Sequence, residues 1–230
     1  MALFEEERNR SDAPRLLVTG FEPFPGAPVN PTEWLAKRFA VEPPAITGIG
    51  AFRAEILPVD YALVAPLLSG IGRDFRPDIA VHFGLARECS GFRLERVARN
   101  RLAAARPDNS GIVPADGPIC AGPALLPSSL PLEAIHAALT AASLPVEWSD
   151  DAGGYLCNMV FTLSAAQACE GFAPRMTGFV HVPPSGPGCA LSLPQLARGA
   201  EIVLRTAVRA WSTVPADGPT APAGSGSAAG

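Results

Sequence analysis

Three short apolar runs constrain the fold of this chain more than any other feature. Arg15-Leu16-Leu17-Val18-Thr19 stops at Gly20, Asp78-Ile79-Ala80-Val81-His82-Phe83 is closed by Gly84, and Phe179-Val180-His181-Val182 ends at Pro183. Runs of this length and apolarity suit buried strands rather than helices. Helical spacing fills the intervals. Asn30-Pro31 supplies a helix cap followed by proline at the first helical position, with Trp34, Leu35 and Phe39 behind it, predicting a helix over 31–40. Extended segments over 54–58, 92–100, 145–148 and 177–182 alternate with helices over 61–71, 132–142, 157–169 and 193–211. Strands alternating with helices predict an α/β fold with a mainly parallel sheet.

Composition narrows the class. With 230 residues, 48% of them hydrophobic and 17% charged, the chain has the makings of one large domain with a substantial core. A formal charge of -4 leaves no basic surplus for phosphates, so nucleic acid is not an expected partner. The first residues are charged where a signal peptide needs an apolar core, and no run reaches the roughly 18 apolar residues of a membrane helix. The expectation is a cytoplasmic protein with no membrane partner. Five scattered cysteines, Cys89, Cys120, Cys157, Cys169 and Cys189, suit reduced thiols rather than a disulfide scaffold. Residues 1–14 read as a polar leader and 15–213 as a single domain. The Pro, Ala, Gly and Ser of 214–230 have too little apolar surface to offset the entropy of ordering, which predicts disorder. Residues 106–131 carry several Pro, Gly and Ser without a sustained period and read as a long surface excursion, covering a site or decorating an edge.

Cys157 carries the chemistry. It follows Gly153-Gly154 and opens an apolar helical run, while His181 stands at a strand end. A helix N-terminus presents unpaired amide donors and a partial positive charge, which favour a thiolate over a thiol. A thiolate and an imidazole make a nucleophile and its proton carrier, usually with a third polar group to orient the ring. Other readings stay open on the residues alone. Cys157 also suits a small core hydrophobe, His82 and His136 suit structural histidines, and Glu95 suits a surface or salt-bridging carboxylate. Cys157, Cys169, His181 and Cys189 lack the Cys-x-x-Cys knuckle of a zinc site. The loop over 20–26 has neither a Walker lysine nor dinucleotide glycine spacing.

Four blocks taken in order resolve these alternatives. They are Leu17-Val18-Thr19-Gly20-Phe21-Glu22-Pro23-Phe24-Pro25-Gly26 with Asn30-Pro31; Leu57-Pro58-Val59; Gly84-Leu85-Ala86 with Glu95-Arg96-Val97-Ala98-Arg99-Asn100; and Tyr155-Leu156-Cys157-Asn158 with His181-Val182-Pro183. Their order and separations across most of 15–212 resemble the pyroglutamyl peptidase I (pyrrolidone-carboxylate peptidase) family of cysteine peptidases. The resemblance implies a three-layer α/β/α domain with a mainly parallel, mixed central sheet, phosphorylase/hydrolase-like. It implies hydrolysis of the amide bond after an N-terminal pyroglutamyl residue through an acyl-enzyme on Cys157, with His181 as general acid and base and Glu95 orienting the ring. Phe21, Phe24, Asn30, Tyr155 and Leu156 fall on substrate-binding positions. The implied partner is a small peptide with an N-terminal pyroglutamate, no metal or other cofactor is required, and the family suggests a homo-oligomer, often a tetramer. One departure stands out: the family pattern Gly-Gly-Arg after Gly-Leu-Ala is here Arg87-Glu88-Cys89, so cysteine replaces arginine and Arg87 or Arg93 becomes the candidate substitute cation. That departure keeps two alternatives in play, a related cysteine amidase with a shifted substrate preference and a non-catalytic binding homologue.

Overall fold

The computed structural model describes residues 13–103, 106–185 and 188–211. The tail over 214–230 and all but the last two residues of the expected polar leader lie outside the described residues. In chain order the elements are β1 (Arg15–Phe21), α1 (Pro31–Val41), β2 (Ala51–Leu57), α2 (Val64–Asp74), β3 (Ile79–Leu85), β4 (Phe92–Glu95), β5 (Val97–Arg99), β6 (Leu125–Pro127), α3 (Leu132–Ala141), β7 (Val146–Ser149), α4 (Leu156–Ala165), β8 (Met176–Val182) and α5 (Leu193–Ala210). A six-stranded sheet runs β2-β1-β3-β8-β4-β7, and β5 pairs with β6 in a separate ribbon. All neighbours in the large sheet are parallel except β4 and β8, which are antiparallel.

Alternating side chains explain the three layers, because successive residues of a strand point to opposite faces. On one face Leu16, Val18, Val81 and Val180 pack with residues of α1, α3 and α5, among them Leu35, Ile135 and Leu204. On the other, Leu17, Ala80 and Phe179 meet Leu68 of α2 and Val160 and Phe161 of α4. Each fully buried Leu or Phe contributes about 1.5–3 kcal/mol, so the apolar runs hold the sheet from both sides.

The observed elements depart from the sequence expectation in several places: the helix expected over 157–169 ends at Ala165, and the strand expected over 54–58 starts at Ala51. Helix α2 starts at Val64 rather than 61, because Asp60 Oδ1 accepts the N–H groups of Ala62 and Leu63 and closes a turn first. The extended stretch over 92–100 is two strands. Phe92–Glu95 joins the large sheet, then Val97–Arg99 leaves it to pair with Leu125–Pro127, a strand inside the presumed surface excursion. Gly84 lies within β3 instead of terminating it.

Gly199 shows how tightly α5 sits on the sheet. A Cβ there would fall 2.1 Å from Phe92 Cζ. Gly199→Ala should therefore destabilise the fold by about 1–3 kcal/mol, the usual cost of overpacking. The measurement is the urea midpoint at unchanged slope; an unaltered midpoint would show that this contact has room for a methyl group.

Candidate active site

The site forms at the C-terminal ends of β1, β3 and β8, the usual location for ligands in an open α/β sheet. Strand register brings its members together. In the antiparallel pair, Arg93 lies opposite His181 and Glu95 opposite Phe179, so Glu95 is the diagonal neighbour of His181 on the same face. In the parallel pair, Gly84 lies beside His181. Helix α4 packs over this face and delivers Cys157 from its first turn. No side chain caps α4 at Tyr155, which leaves its first-turn amides available beside the sulfur.

Glu95 is fully buried, and its Oε1 accepts a hydrogen bond from His181 Nδ1 at 2.7 Å. That bond leaves Nε2 as the nitrogen available to Cys157, whose side chain acts on the ring. The second carboxylate oxygen, Oε2, is buried without a hydrogen-bond partner. Burial alone would depress the imidazole, but the charge and hydrogen bond of Cys157, followed by those of Glu95, outweigh it and raise His181 from 6.5 to about 9. The ring is therefore held as imidazolium at neutral pH.

Gly84 makes room for this arrangement. A Cβ at that position would lie 2.9 Å from Cys157 Sγ and 2.6 Å from Phe179 Cζ. Phe179 in turn packs at a centroid distance of 4.8 Å from the His181 ring. The trio thus has an aromatic floor and no slack around the sulfur.

Two connected cavities open at Cys157. A cleft of about 330 Å³ is lined by His181 and, among others, Arg87, Arg93, Gly153 and Tyr155. A narrow recess of about 20 Å³ lies between Phe21, Phe24, Asn30, Val59, Tyr155 and Leu156. Phe24 and Tyr155 pack at 5.9 Å, and the Arg106 guanidinium lies 4.7 Å from the Tyr155 centroid, at the junction of both cavities. All five residues expected to bind substrate line the recess. Asn30, however, has its amide engaged: Nδ2 donates to the Glu22 carbonyl, and Oδ1 accepts from the Thr32 N–H and hydroxyl as the cap of α1.

Several residues that sequence reasoning did not single out frame the recess. Glu22 accepts from Val59 N–H and from Asn109 Nδ2, Asp108 accepts from Tyr61 N–H, and Tyr155 donates its hydroxyl proton to the Pro107 carbonyl. The start of the excursion is therefore a strap stitched across the site rather than an edge decoration. Asp108-Asn109-Ser110-Gly111 is a turn signature that marks a tight loop, though nothing in it reveals the partners. Asn158 fixes the other side, accepting from Arg99 N–H and donating to the Arg99 and Arg101 carbonyls.

The remaining cysteines and histidines serve the interior or the surface. Burial pushes Cys89 and Cys169 up to about 11. The Cys89 thiol points at the Ala86 carbonyl and lines neither cavity, so the arginine-to-cysteine departure falls on a buried position beside the site. Burial lowers His82 to about 3, and the ring shares a 2.8 Å hydrogen bond with Thr19. His136 stacks on Trp148. Among the described residues no three His, Cys, Asp or Glu side chains form a metal-binding group.

Two outcomes follow from this geometry. A raised imidazole keeps its proton below about 9 and loses it above, so the His181 ring resonances should titrate near pH 9 in NMR, and lower in Cys157→Ala and Glu95→Gln. A wild-type midpoint at or below 6.5 would contradict the assigned causes. Gly84→Ala should push the sulfur off the imidazole and cut turnover about 10²-fold, the scale of an ångström misplacement, with the circular dichroism spectrum preserved.

Comparison with known proteins agrees with the geometry. The family profile described as pyroglutamyl peptidase matches residues 14–213. The chain is 39% identical to a pyrrolidone-carboxylate peptidase of Pyrococcus furiosus over 174 residues, 74% of this chain and 80% of that protein. It is 37% identical to one of Streptomyces coelicolor over 203 residues, 85% of this chain and 92% of the relative. The crystal structure of pyrrolidone carboxyl peptidase from Thermus thermophilus is similar with a TM-score of 0.73 at 35% identity, covering 83% of this chain and 99% of that one. A mutant pyrrolidone carboxyl peptidase from Pyrococcus furiosus reaches 0.78 at 32% identity, covering 86% and 99%. With that profile match and relatives above 30% identity over most of their length, the chain belongs to the pyroglutamyl peptidase family.

Proposed function

We propose that Cys157, His181 and Glu95 are the catalytic residues of a cysteine-type hydrolase that removes an N-terminal pyroglutamyl residue from small peptides. The observation that carries this reading is the line from Glu95 Oε1 through the His181 ring to Cys157, opening beside an aromatic recess. A pyroglutamyl ring is a small neutral lactam. Apolar walls suit its methylenes, and backbone groups suit its amide edge, whereas a free α-ammonium would be buried unpaired. Phe21, Tyr155 and Leu156 supply the walls, and Phe24 with the exposed Arg106 stands where the recess meets the cleft. Because the recess has room for little more than one water, ring entry requires those two side chains to part. Asn30 serves the recess by shaping the loop it caps.

The reaction follows from the charges. The Cys157 thiolate attacks the carbonyl carbon linking pyroglutamate to the next residue, and first-turn amides of α4 stabilise the oxyanion. His181 delivers its proton to the leaving nitrogen as the C–N bond breaks, leaving an acyl-enzyme and a neutral imidazole. The imidazole then takes a proton from water, whose hydroxide displaces the sulfur and releases pyroglutamate. Glu95 balances the imidazolium charge and holds the ring in the tautomer this cycle requires.

The five unpaired cysteines support a reducing, cytoplasmic setting. We take residues 15–213 as one peptidase domain and, from the family, a homo-oligomer as the assembled form, with a tetramer as the state to test by light scattering. The intact trio favours the peptidase over a non-catalytic homologue, and the buried position of Cys89 favours it over an amidase with a shifted preference.

A pyroglutamyl-linked chromogenic amide should be cleaved in the presence of thiol. Cys157→Ala should lose about 10⁴-fold or more in kcat, and Glu95→Gln about 10²–10⁴-fold. A folded wild-type preparation without turnover would overturn the reading.

A further inference from the structure

The recess and the cleft share Phe24, Leu85, Arg106, Tyr155 and Cys157, but His181 lines only the cleft. Since His181 must protonate the departing amine, the leaving half of the substrate extends into the cleft, past Arg87, Glu88, Arg93 and Asp151, while Arg106 is held over the Phe24 and Tyr155 rings where the cleft meets the recess. Two of these charges are already engaged. Arg93 Nε donates to Glu147 Oε1 at 2.6 Å, while Asp151 accepts from Gly153 N–H at 2.9 Å and lies 3.7 Å from Arg99 Nε. Arg87 has no carboxylate partner among the described residues. It lines the cleft, and one guanidinium nitrogen lies 3.4 Å from where a Cβ on Gly26 would stand. Glu88 lines the same mouth and is exposed, so it tempers the local potential without closing off the guanidinium.

We propose that Arg87 forms a leaving-group subsite for a carboxylate carried by the residue that follows the pyroglutamyl group. This rests on the peptidase reading and adds a preference within it. A guanidinium presents a planar fork of donors that matches a carboxylate in two parallel hydrogen bonds, and the ammonium of a lysine lacks that geometry. The carboxylate has two possible sources, the free α-carboxylate of a pyroglutamyl dipeptide or an Asp or Glu side chain next to the scissile bond. The subsite rests on Arg87 of this chain's Arg87-Glu88-Cys89 segment.

Two substrate pairs test it. Pyroglutamyl-alanine against its amide isolates the α-carboxylate, and pyroglutamyl-glutamic amide against pyroglutamyl-glutamine amide isolates the side chain. At low ionic strength at least one carboxylate substrate should exceed its neutral partner by roughly two- to fivefold in kcat/KM, mainly through KM, as an exposed ion pair allows. About 0.5 M salt should shrink the advantage. Arg87→Gln should bring the ratio close to one, and Glu88→Gln should raise it. Equal rates within both pairs, or a ratio that Arg87→Gln leaves intact, would overturn the subsite while turnover itself upholds the peptidase. Failure to cleave any of the four would remove both.

Discussion

A carboxylate in a dry interior, held against an imidazole, sets the character of this site. Glu95 is fully buried, Oε1 holds His181, and Oε2 has no hydrogen-bond partner. An ionised group in such surroundings is costly unless an opposite charge lies against it. The imidazolium answers that requirement, 2.7 Å from the carboxylate. Reversing β4 against β8 is what makes the pairing possible, since it puts Glu95 diagonal to His181 on the face covered by α4.

The rest of the site keeps that charge line narrow and dry. Phe179 floors the imidazole, and Gly84 lets Cys157 approach without steric conflict. Around the recess, side chains satisfy the backbone groups of neighbouring loops: Glu22 joins the β1 loop to Val59 and Asn109, and Asp108 joins the strap to Tyr61. Cross-loop bonds of this kind let irregular chain segments hold a fixed shape without a regular ladder. The strap carries Arg106 to the junction of the two cavities, where its guanidinium lies over Tyr155.

Much of the architecture was legible from local pattern. Apolar runs at Leu16, Ile79 and Phe179 marked the central strands, and Asn30-Pro31 marked the start of α1. Where nonlocal partners decide structure, the pattern was silent. Val97–Arg99 follows the preceding strand after a single residue and yet pairs with Leu125–Pro127, which sits among Pro, Gly and Ser residues. Cys157 and His181 could be picked out by their contexts, whereas Glu95 could be chosen only through family resemblance, because an acidic residue between Leu94 and Arg96 has the local signature of any strand-end charge.

By itself the sequence determined the layer order of helix and strand, the burial of the central strands and the kinds of side chain available for thiol chemistry. These depend on periodicity and chemical type, which are local. Tertiary structure decided that β4 runs against β8, that Glu95 faces inward to His181, and that the 106–112 strap closes over the recess. The first two depend on register between strands far apart in the chain, where a shift of one residue would turn the same side chains to the opposite face, and the strap depends on hydrogen bonds to Tyr61, Glu22 and Tyr155 from distant segments.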